Sequence, residues 1–398
     1  MNSKLLINLL LSLTGFVLIV AWLTQVVQQY RKADKNTSFF TFKRFRYPLL
    51  VGLIAGVPIL LLNLFSVGDA PIIAPDVISS SQNFIFCVVV ALLISLVWIR
   101  YVWLLDIYDR EKWTHVAAIF LLSAALSFLC WPLYNLFESL GFSHSTAPLP
   151  DFIFCVFGIG LIEETVKFIP FLILLRFTKA INEPFDYLLY ASVSALGFAF
   201  AENSLYLNSY GLNIIAARAF YASVAHMTFC STVTYGLLLK KFRFTKYPTW
   251  AVFLFFFGIA IFSHGFYDFW LINESVASLQ GLTTVFFLLT IHIWFTMKNN
   301  AINVSNFFDE RVVLDNNHLM QHLVVGLLSL FMFSYIWVAF FYGTFEANQF
   351  LAGNAIVYGY IIFYLIASFG RFHIVRGYLA PFQVPFNFFI PTLRKKSS

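Results

Sequence analysis

Ionisable residues isolated inside apolar segments are the feature of this sequence that points most directly to chemistry. The stretch 152–175 reads FIFCVFGIGLIEETVKFIPFLILL, and its only ionisable groups are Glu163, Glu164 and Lys167. A charged side chain at the centre of a bilayer costs about 2.5–3.5 kcal/mol on insertion scales. Three such groups in one apolar stretch therefore indicate a function rather than an accident of composition.

Three other apolar segments carry similar residues. Glu202 and Asn203 lie in LGFAFAENSLYL, His226 lies in VAHMTFCSTV, and His264 and Asp268 lie in FSHGFYDFW. Counting inward from the expected outer ends of the spans places all of these groups in the middle or outer half of the membrane. Because ionisable residues of four predicted helices lie at similar depths in the membrane, we expect them to form one polar site.

These residue types suit hydrolysis. A carboxylate can take a proton from water, and histidines can bind a metal or stabilise an oxyanion. A catalytic zinc needs about three N/O ligands and one open position. His226, His264 and either Asp268 or Glu202 could supply these ligands, which would leave one glutamate of the 163–164 pair as the general base.

Each residue also has a purely structural interpretation. Glu163 and Lys167 are four apart on one helix face and could form an ion pair that fixes packing. Glu164 points about 100° away, so we expect one glutamate to pair with Lys167 and the other to face a different neighbour. Glu202 could be a polar residue near a helix end, and His226 a hydrogen-bond partner between helices.

The composition is that of a membrane protein. Hydrophobic residues make up 60% of the 398 residues, charged residues only 11%, and the mean hydropathy is +0.80. Ordinary globular chains are roughly 25% charged. We therefore expect an all-α, polytopic bundle in contact with the lipid bilayer. The net charge of +6 does not imply nucleic acid, since the basic residues lie where membrane topology needs them.

Apolar runs of about 20 residues predict eleven spans. Their approximate bounds are 5–27, 48–67, 84–105, 114–138, 151–176, 186–207, 213–239, 248–271, 279–297, 320–343 and 351–370. The connections lacking Lys and Arg include 68–83, 139–150, 272–278 and 344–350. The intervening connections are basic, and the positive-inside rule makes them cytoplasmic. This predicts a multi-pass protein of the inner (plasma) membrane, with its N-terminus outside and its C-terminus in the cytoplasm.

The motifs, in this order, resemble those of the PrsW family of intramembrane proteases, which is related to the CAAX-protease and bacteriocin-processing group. The matching elements are EExxK at 163–167, Phe-Asp-Tyr at 185–187, GFAFAEN-x-x-Y at 197–206, the single His226, and His-Gly-x-x-Asp-Phe at 264–269. LLDIYDREKW at 104–113 is similar to a further family element, with Lys112 where a proline is usual.

The resemblance implies a peptidase that cuts a membrane-tethered, single-span protein such as an anti-sigma factor. It implies functional roles for the paired glutamates, Glu202, His226 and His264. In the wider group a histidine stands where this chain has Glu202, so a zinc (Zn²⁺) geometry does not transfer directly. We expect a two-span N-terminal extension at 1–83, a protease core at 84–275, with its catalytic spans at about 151–271, and a C-terminal helical extension at 276–398.

The sequence-based hypothesis is therefore an intramembrane endopeptidase that cuts near the extracytoplasmic side. Its site residues are Glu163, Glu164, Lys167, Glu202, Asn203, His226, His264 and Asp268. The rival hypothesis is a proton- or cation-coupled transporter, because buried carboxylates and histidines also form proton relays. Transporters often show internal repeats, and no repeat is evident by eye.

Overall fold

The fold is described from a computed structural model. It describes Leu13, Val17, Val20 and Thr24 and residues 52–65, 80–312, 316–369, 372 and 374–382. Every regular element in these residues is helical, which confirms the predicted all-α bundle. The α-helices are, in chain order, α1 (Val57–Phe65), α2 (Ser80–Leu104), α3 (Trp113–Leu126), α4 (Cys130–Ser139), α5 (Pro148–Ile153), α6 (Leu161–Phe177), α7 (Pro184–Tyr210), α8 (Ser223–Lys241), α9 (Thr249–Ile272), α10 (Gly281–Asn303), α11 (Asn316–Tyr342) and α12 (Thr344–Phe369).

Short stretches of tighter or wider helix connect several of these elements. Two π-helical segments, Phe154–Gly160 and Ala217–Ala222, lead directly into α6 and α8. A 3₁₀ turn at Ser127–Leu129 joins α3 to α4, so that these two helices form one continuous apolar rod. π-segments inside helices are frequent at functional sites, and here both precede helices that carry predicted site residues.

The chain forms two compact units. One consists of Met1–Tyr101, Asn203–Ala217 and Asp315–Arg371, and the other of Val102–Glu202, Arg218–Leu314 and Phe372–Ser398. The second unit contains α3–α6, α8–α10 and α7 as far as Glu202. All predicted site residues except Asn203 therefore belong to the second unit, which we call the site unit.

Six of the described helices are long and apolar enough to cross a membrane. They are Ser80–Leu104, Trp113–Ser139, Ala217–Lys241, Thr249–Ile272, Gly281–Asn303 and His318–Tyr342. Helix α6 is not among them, because it is shorter and carries Glu163, Glu164 and Lys167 within one turn. The count of eleven spans stays a prediction, and the first predicted span (5–27) lies largely outside the described residues.

Close backbone contact holds α9 against the π-segment before α6. A Cβ atom on Gly265 would lie 2.4 Å from the Cα atom of Val156, and one on Gly160 would lie 2.7 Å from the carbonyl oxygen of Ile261. Real Cβ atoms do not approach other atoms so closely, so only glycine fits at either position. This crossing places His264, the neighbour of Gly265, opposite the start of α6.

Candidate active site

The ammonium group of Lys167 is the centre of the polar cluster. Its side chain is fully buried. Its Nζ atom lies 3.1 Å from Glu163 Oε2, 2.9 Å from Glu164 Oε1, 2.7 Å from His226 Nδ1 and 3.4 Å from His264 Nδ1. One cation from α6 thus contacts its own two glutamates and the histidines of α8 and α9.

Both glutamates bind Lys167, so the expectation that only one would do so is wrong. Residues three and four apart are both neighbours on a helix surface, and the long lysine side chain reaches each carboxylate. The two carboxylates still differ in their surroundings. Glu163 is slightly accessible, with 7% of its side chain exposed, and its Oε1 atom accepts a hydrogen bond of 2.7 Å from the Tyr134 hydroxyl. Glu164 is completely buried, and its Oε2 atom has no hydrogen-bond partner.

The imidazole of His226 joins Lys167 to Glu202. Its Nδ1 atom accepts from Lys167, so the proton is assigned to Nε2, which lies 2.8 Å from Glu202 Oε2. The same carboxylate oxygen accepts a hydrogen bond of 2.6 Å from Arg218. Glu202 is therefore neutralised by an arginine from the next helical segment while it fixes the orientation of the His226 ring.

His264 is surrounded by three carboxylates. Its Nδ1 atom lies 2.8 Å from Glu164 Oε1, and its Nε2 atom lies 3.4 Å from Glu163 Oε2 and 3.2 Å from Asp268 Oδ2. The ring centroids of His264 and His226 are 5.3 Å apart. The structure therefore brings Glu163, Glu164, Lys167, Glu202, His226, His264 and Asp268 into one network.

Asn203 differs from the other predicted residues. It follows Glu202 on α7 and is fully buried, but it belongs to the other compact unit. Its predicted part in the chemistry stays a prediction.

The helices around the site are held together by contacts to the backbone of α6. Ser194 on α7 donates a hydrogen bond of 2.6 Å to the carbonyl oxygen of Lys167, and the Phe198 ring lies with its centroid 4.4 Å from Lys167 Nζ. The α10 helix supports α8 from the other side, where Trp294 donates to Ser231. Packing thus fixes the lysine and its partners from several helices.

The donors of the site fit a catalytic metal in kind and spacing. One ligand atom each from Glu163, His226 and His264 lies within 4.8 Å of the other two. Each imidazole also has its remaining nitrogen beside a carboxylate, Glu202 for His226 and Glu164 for His264, and such outer carboxylates orient histidine ligands at metal sites. Lys167 already contacts all three donor residues, so an ion between them would require the lysine to move toward Glu164.

Sequence reasoning missed two residues of this network, Tyr134 and Arg218. Tyr134 lies in an apolar stretch without a charge or a motif, so nothing in the sequence distinguishes it. Arg218 did carry a signal. It is a basic residue just beyond the short turn at 208–212, on the side that otherwise lacks Lys and Arg. In the structure its partner is the carboxylate of Glu202.

Buried carboxylates that share a lysine and two histidines, within a bundle of apolar helices, suit a membrane-embedded hydrolytic enzyme. Comparison with known proteins agrees with this class. Residues 111–296 match the model of the PrsW family, described as intramembrane metalloproteases. The chain belongs to the PrsW family of intramembrane metalloproteases.

Two relatives show the extent of the similarity. Protease PrsW of Clostridioides difficile (strain 630) is 32% identical over 190 residues, which are 47% of this chain and 78% of that protein. Protease PrsW of Geobacillus kaustophilus (strain HTA426) is 30% identical over 178 residues, which are 44% and 74% of the two chains. No solved structure matches the chain.

Proposed function

We propose that this protein is an endopeptidase that cleaves a membrane-tethered, single-span protein near the extracytoplasmic end of its span, using a glutamate-activated water. The observation that carries the proposal is the convergence of Glu163, His226 and His264, from three different helices, around one buried lysine. A single-span protein such as an anti-sigma factor is the substrate class that the family resemblance implies.

Glu163 is the proposed general base. It is the more accessible of the two glutamates, and its two oxygens face different groups, Tyr134 on one side and the Lys167–His264 pair on the other. The carboxylate takes a proton from the attacking water, whose oxygen bonds to the scissile carbonyl carbon. Glu164, which is fully buried, holds Lys167 in place and accepts a hydrogen bond from His264.

His264 is proposed to stabilise, with a proton on Nε2, the negative charge that develops on the carbonyl oxygen, since His226 already donates its one ring proton to Glu202. Hydrogen-bond donors fixed in a water-poor site stabilise such a charge far more strongly than donors in water do. Glu202 and Asp268 are positioning residues, since they contact the ring nitrogens of His226 and His264. The proton on Glu163 then passes to the leaving amine as the carbon–nitrogen bond breaks.

Glu163, His226 and His264 are the residues that would hold a metal ion, with zinc as the expected element because the donors are imidazole and carboxylate. A bound zinc would supply Lewis-acid polarisation of the scissile carbonyl. Glu202 and Asp268, the carboxylates that the sequence suggested as ligands, contact the histidines and remain alternatives for the third position. A carboxylate that binds an ion through one oxygen keeps the other for proton transfer.

The side of cleavage is inferred from where the charges lie on each helix. Arg176 and the Lys240–Lys241 pair end α6 and α8, whereas Glu202 and Asp268 lie toward the ends of α7 and α9, the helices that follow them. By the positive-inside rule the basic ends face the cytoplasm. The site therefore lies toward the extracytoplasmic side, where a substrate helix must unwind to expose a peptide bond.

The test of the proposal is cleavage of single-span reporter proteins in proteoliposomes, followed by mass spectrometry of the products. Glu163→Gln keeps the shape of the side chain and removes the base, and its rate should fall by about 10²–10⁴-fold. Glu138→Gln, which changes an exposed glutamate on α4, is the matched control and should cut at the normal rate. Full activity of purified Glu163→Gln would refute the assignment.

The metal is tested separately. Dialysis against a strong chelator should abolish cleavage, and zinc should restore it. Elemental analysis measures the metal content per protein molecule in the unchanged protein and in the His264→Ala variant. Cleavage that survives complete metal removal would leave the glutamate mechanism in place and exclude the ligand role of the histidines.

A further inference from the structure

Three buried carboxylates form a second polar cluster in the site unit. Asp106 and Asp186 are fully buried and Glu183 is 1% exposed. One oxygen of each lies within 4.8 Å of one oxygen of both others. At a rise of 1.5 Å per residue, Asp186 is about 24 Å from Glu202 along α7, so this cluster is separate from the proposed active site.

One oxygen of each carboxylate has a clear structural role. Asp106 Oδ2 accepts from the backbone N–H of Glu111 at 2.6 Å. Asp186 Oδ2 accepts from the N–H groups of Asn182 and Glu183, at 2.7 and 2.8 Å, and so caps the start of α7. Glu183 Oε2 accepts from the Ser305 hydroxyl. The bonds of Asp106 and Asp186 are local, whereas the bond of Glu183 joins the loop before α7 to the segment after α10.

The other oxygens are unsatisfied. Asp106 Oδ1, Glu183 Oε1 and Asp186 Oδ1 are all buried without a hydrogen-bond partner. Among the residues that the structure describes, no lysine, arginine or histidine forms a salt bridge with any of these three groups. Leaving a buried acceptor unsatisfied costs about 1–3 kcal/mol, and more when the group is charged.

We propose that Asp106, Glu183 and Asp186 bind a hard divalent cation, of the class of Ca²⁺, Mg²⁺ or Mn²⁺, that joins the three loops. Carboxylate oxygens are the ligands that these ions prefer, whereas zinc favours nitrogen and sulfur. Calcium binds oxygens at 2.3–2.6 Å, so two ligands on opposite sides of it lie about 4.6–5.2 Å apart. The three ligand atoms lie within 4.8 Å of one another, which is close enough for one such ion to contact all three.

The cation would have a structural role. It would join the loop between α2 and α3 to the start of α7. Through the hydrogen bond between Glu183 and Ser305, both would also be linked to the segment after α10. Because α7 also carries Glu202, an ion at its first turn anchors the helix whose far end orients His226. The proposal does not depend on the reaction that the active site performs.

The test uses the purified full-length protein in detergent, stripped of metal with a chelator. Calcium, magnesium and manganese chlorides are added separately, and the thermal unfolding midpoint is compared with that in sodium chloride of the same ionic strength. At least one divalent ion should raise the midpoint. Terbium, which takes the same oxygen ligands, should bind and show luminescence sensitised by nearby aromatic rings.

Asp106→Asn isolates the site. The amide oxygen can still accept from Glu111, but one ligand charge is lost, so affinity for the ion should fall by at least about 100-fold, since even outer-shell partners are worth 10–100-fold. In chelator this variant should be at least as stable as the unchanged protein, because a buried charge is removed. In the presence of the cation, the unchanged protein should be the more stable of the two. A purely structural aspartate would not give this crossover.

Asp309→Asn is the matched control. It changes an acidic residue in the loop after α10, which is paired with Arg311, and it should keep the full response to the cation. Glu183→Gln provides a second variant if Asp106→Asn does not fold. The proposal is overturned if no divalent ion shifts the unfolding midpoint of the unchanged protein. It is also overturned if Asp106→Asn and Glu183→Gln both bind terbium as tightly as the unchanged protein does. Either result would mean that protons, rather than a cation, neutralise the carboxylates.

Discussion

Gly265→Ala should disable the enzyme through a single methyl group. An alanine Cβ at this position would lie 2.4 Å from the Cα atom and 2.5 Å from the nitrogen of Val156. Ordinary contacts of this kind begin near 3.4 Å, so α9 and the π-segment before α6 must separate by about 1 Å. Overpacking of this kind costs about 1–3 kcal/mol. A displacement of 1 Å between catalytic groups can cost about 10²-fold in rate.

The expected result is therefore a modest loss of thermal stability with a loss of cleavage of about 100-fold or more. Gly258→Ala is the control, because it lies on the same helix and a Cβ there meets nothing within 4 Å. It should be neutral or slightly stabilising, since alanine is the better helix former by about 1 kcal/mol. Both variants are compared by unfolding midpoint in detergent and by reporter cleavage in proteoliposomes. Equal cleavage by the two variants would show that the crossing does not position His264.

Three further predictions follow from the site and the charge pattern. Lys167→Met leaves two buried carboxylates without their cation and should destabilise the protein by about 3–5 kcal/mol. Adding Glu164→Gln should recover part of this loss in the same unfolding assay, and no recovery would argue against the pairing. Tyr134→Phe removes a hydrogen bond to the Glu163 carboxylate and should lower the free energy of unfolding by about 1.5–3 kcal/mol. An unchanged thermal unfolding midpoint would contradict this prediction. Reporter fusions at residue 75 and at the C-terminus should report outside and inside respectively, and a cytoplasmic signal at residue 75 would move the expected cut to the inner side.

The sequence predicted the helical class, and it singled out the candidate site residues because each ionisable group in an apolar segment is costly and therefore conspicuous. It could not predict how the groups pair. The spacing of Glu163, Glu164 and Lys167 allows one or two ion pairs, and the structure forms both.

Other features depend on contacts between distant segments and leave little trace in the sequence. Tyr134 donates to Glu163 only because α4 packs beside α6, and a lone tyrosine in an apolar run is ordinary. The carboxylate cluster at the other end of α7 likewise joins Asp106 to Glu183 and Asp186, about 80 positions later in the chain. Such juxtapositions depend on the three-dimensional arrangement of loops rather than on any local pattern.

The location of the lysine's counter-ions has a consequence for how the protein is made. Lys167 and both of its glutamates lie on α6 itself, within one turn of helix. As soon as that turn forms, the positive charge of the lysine is paired with the glutamates. The segment then carries a net charge of one negative unit rather than three unpaired charges. Helix α6 can therefore leave the insertion machinery and enter the bilayer before α8 and α9 have been synthesised. The histidines arrive later, at a site whose central ion pair already exists.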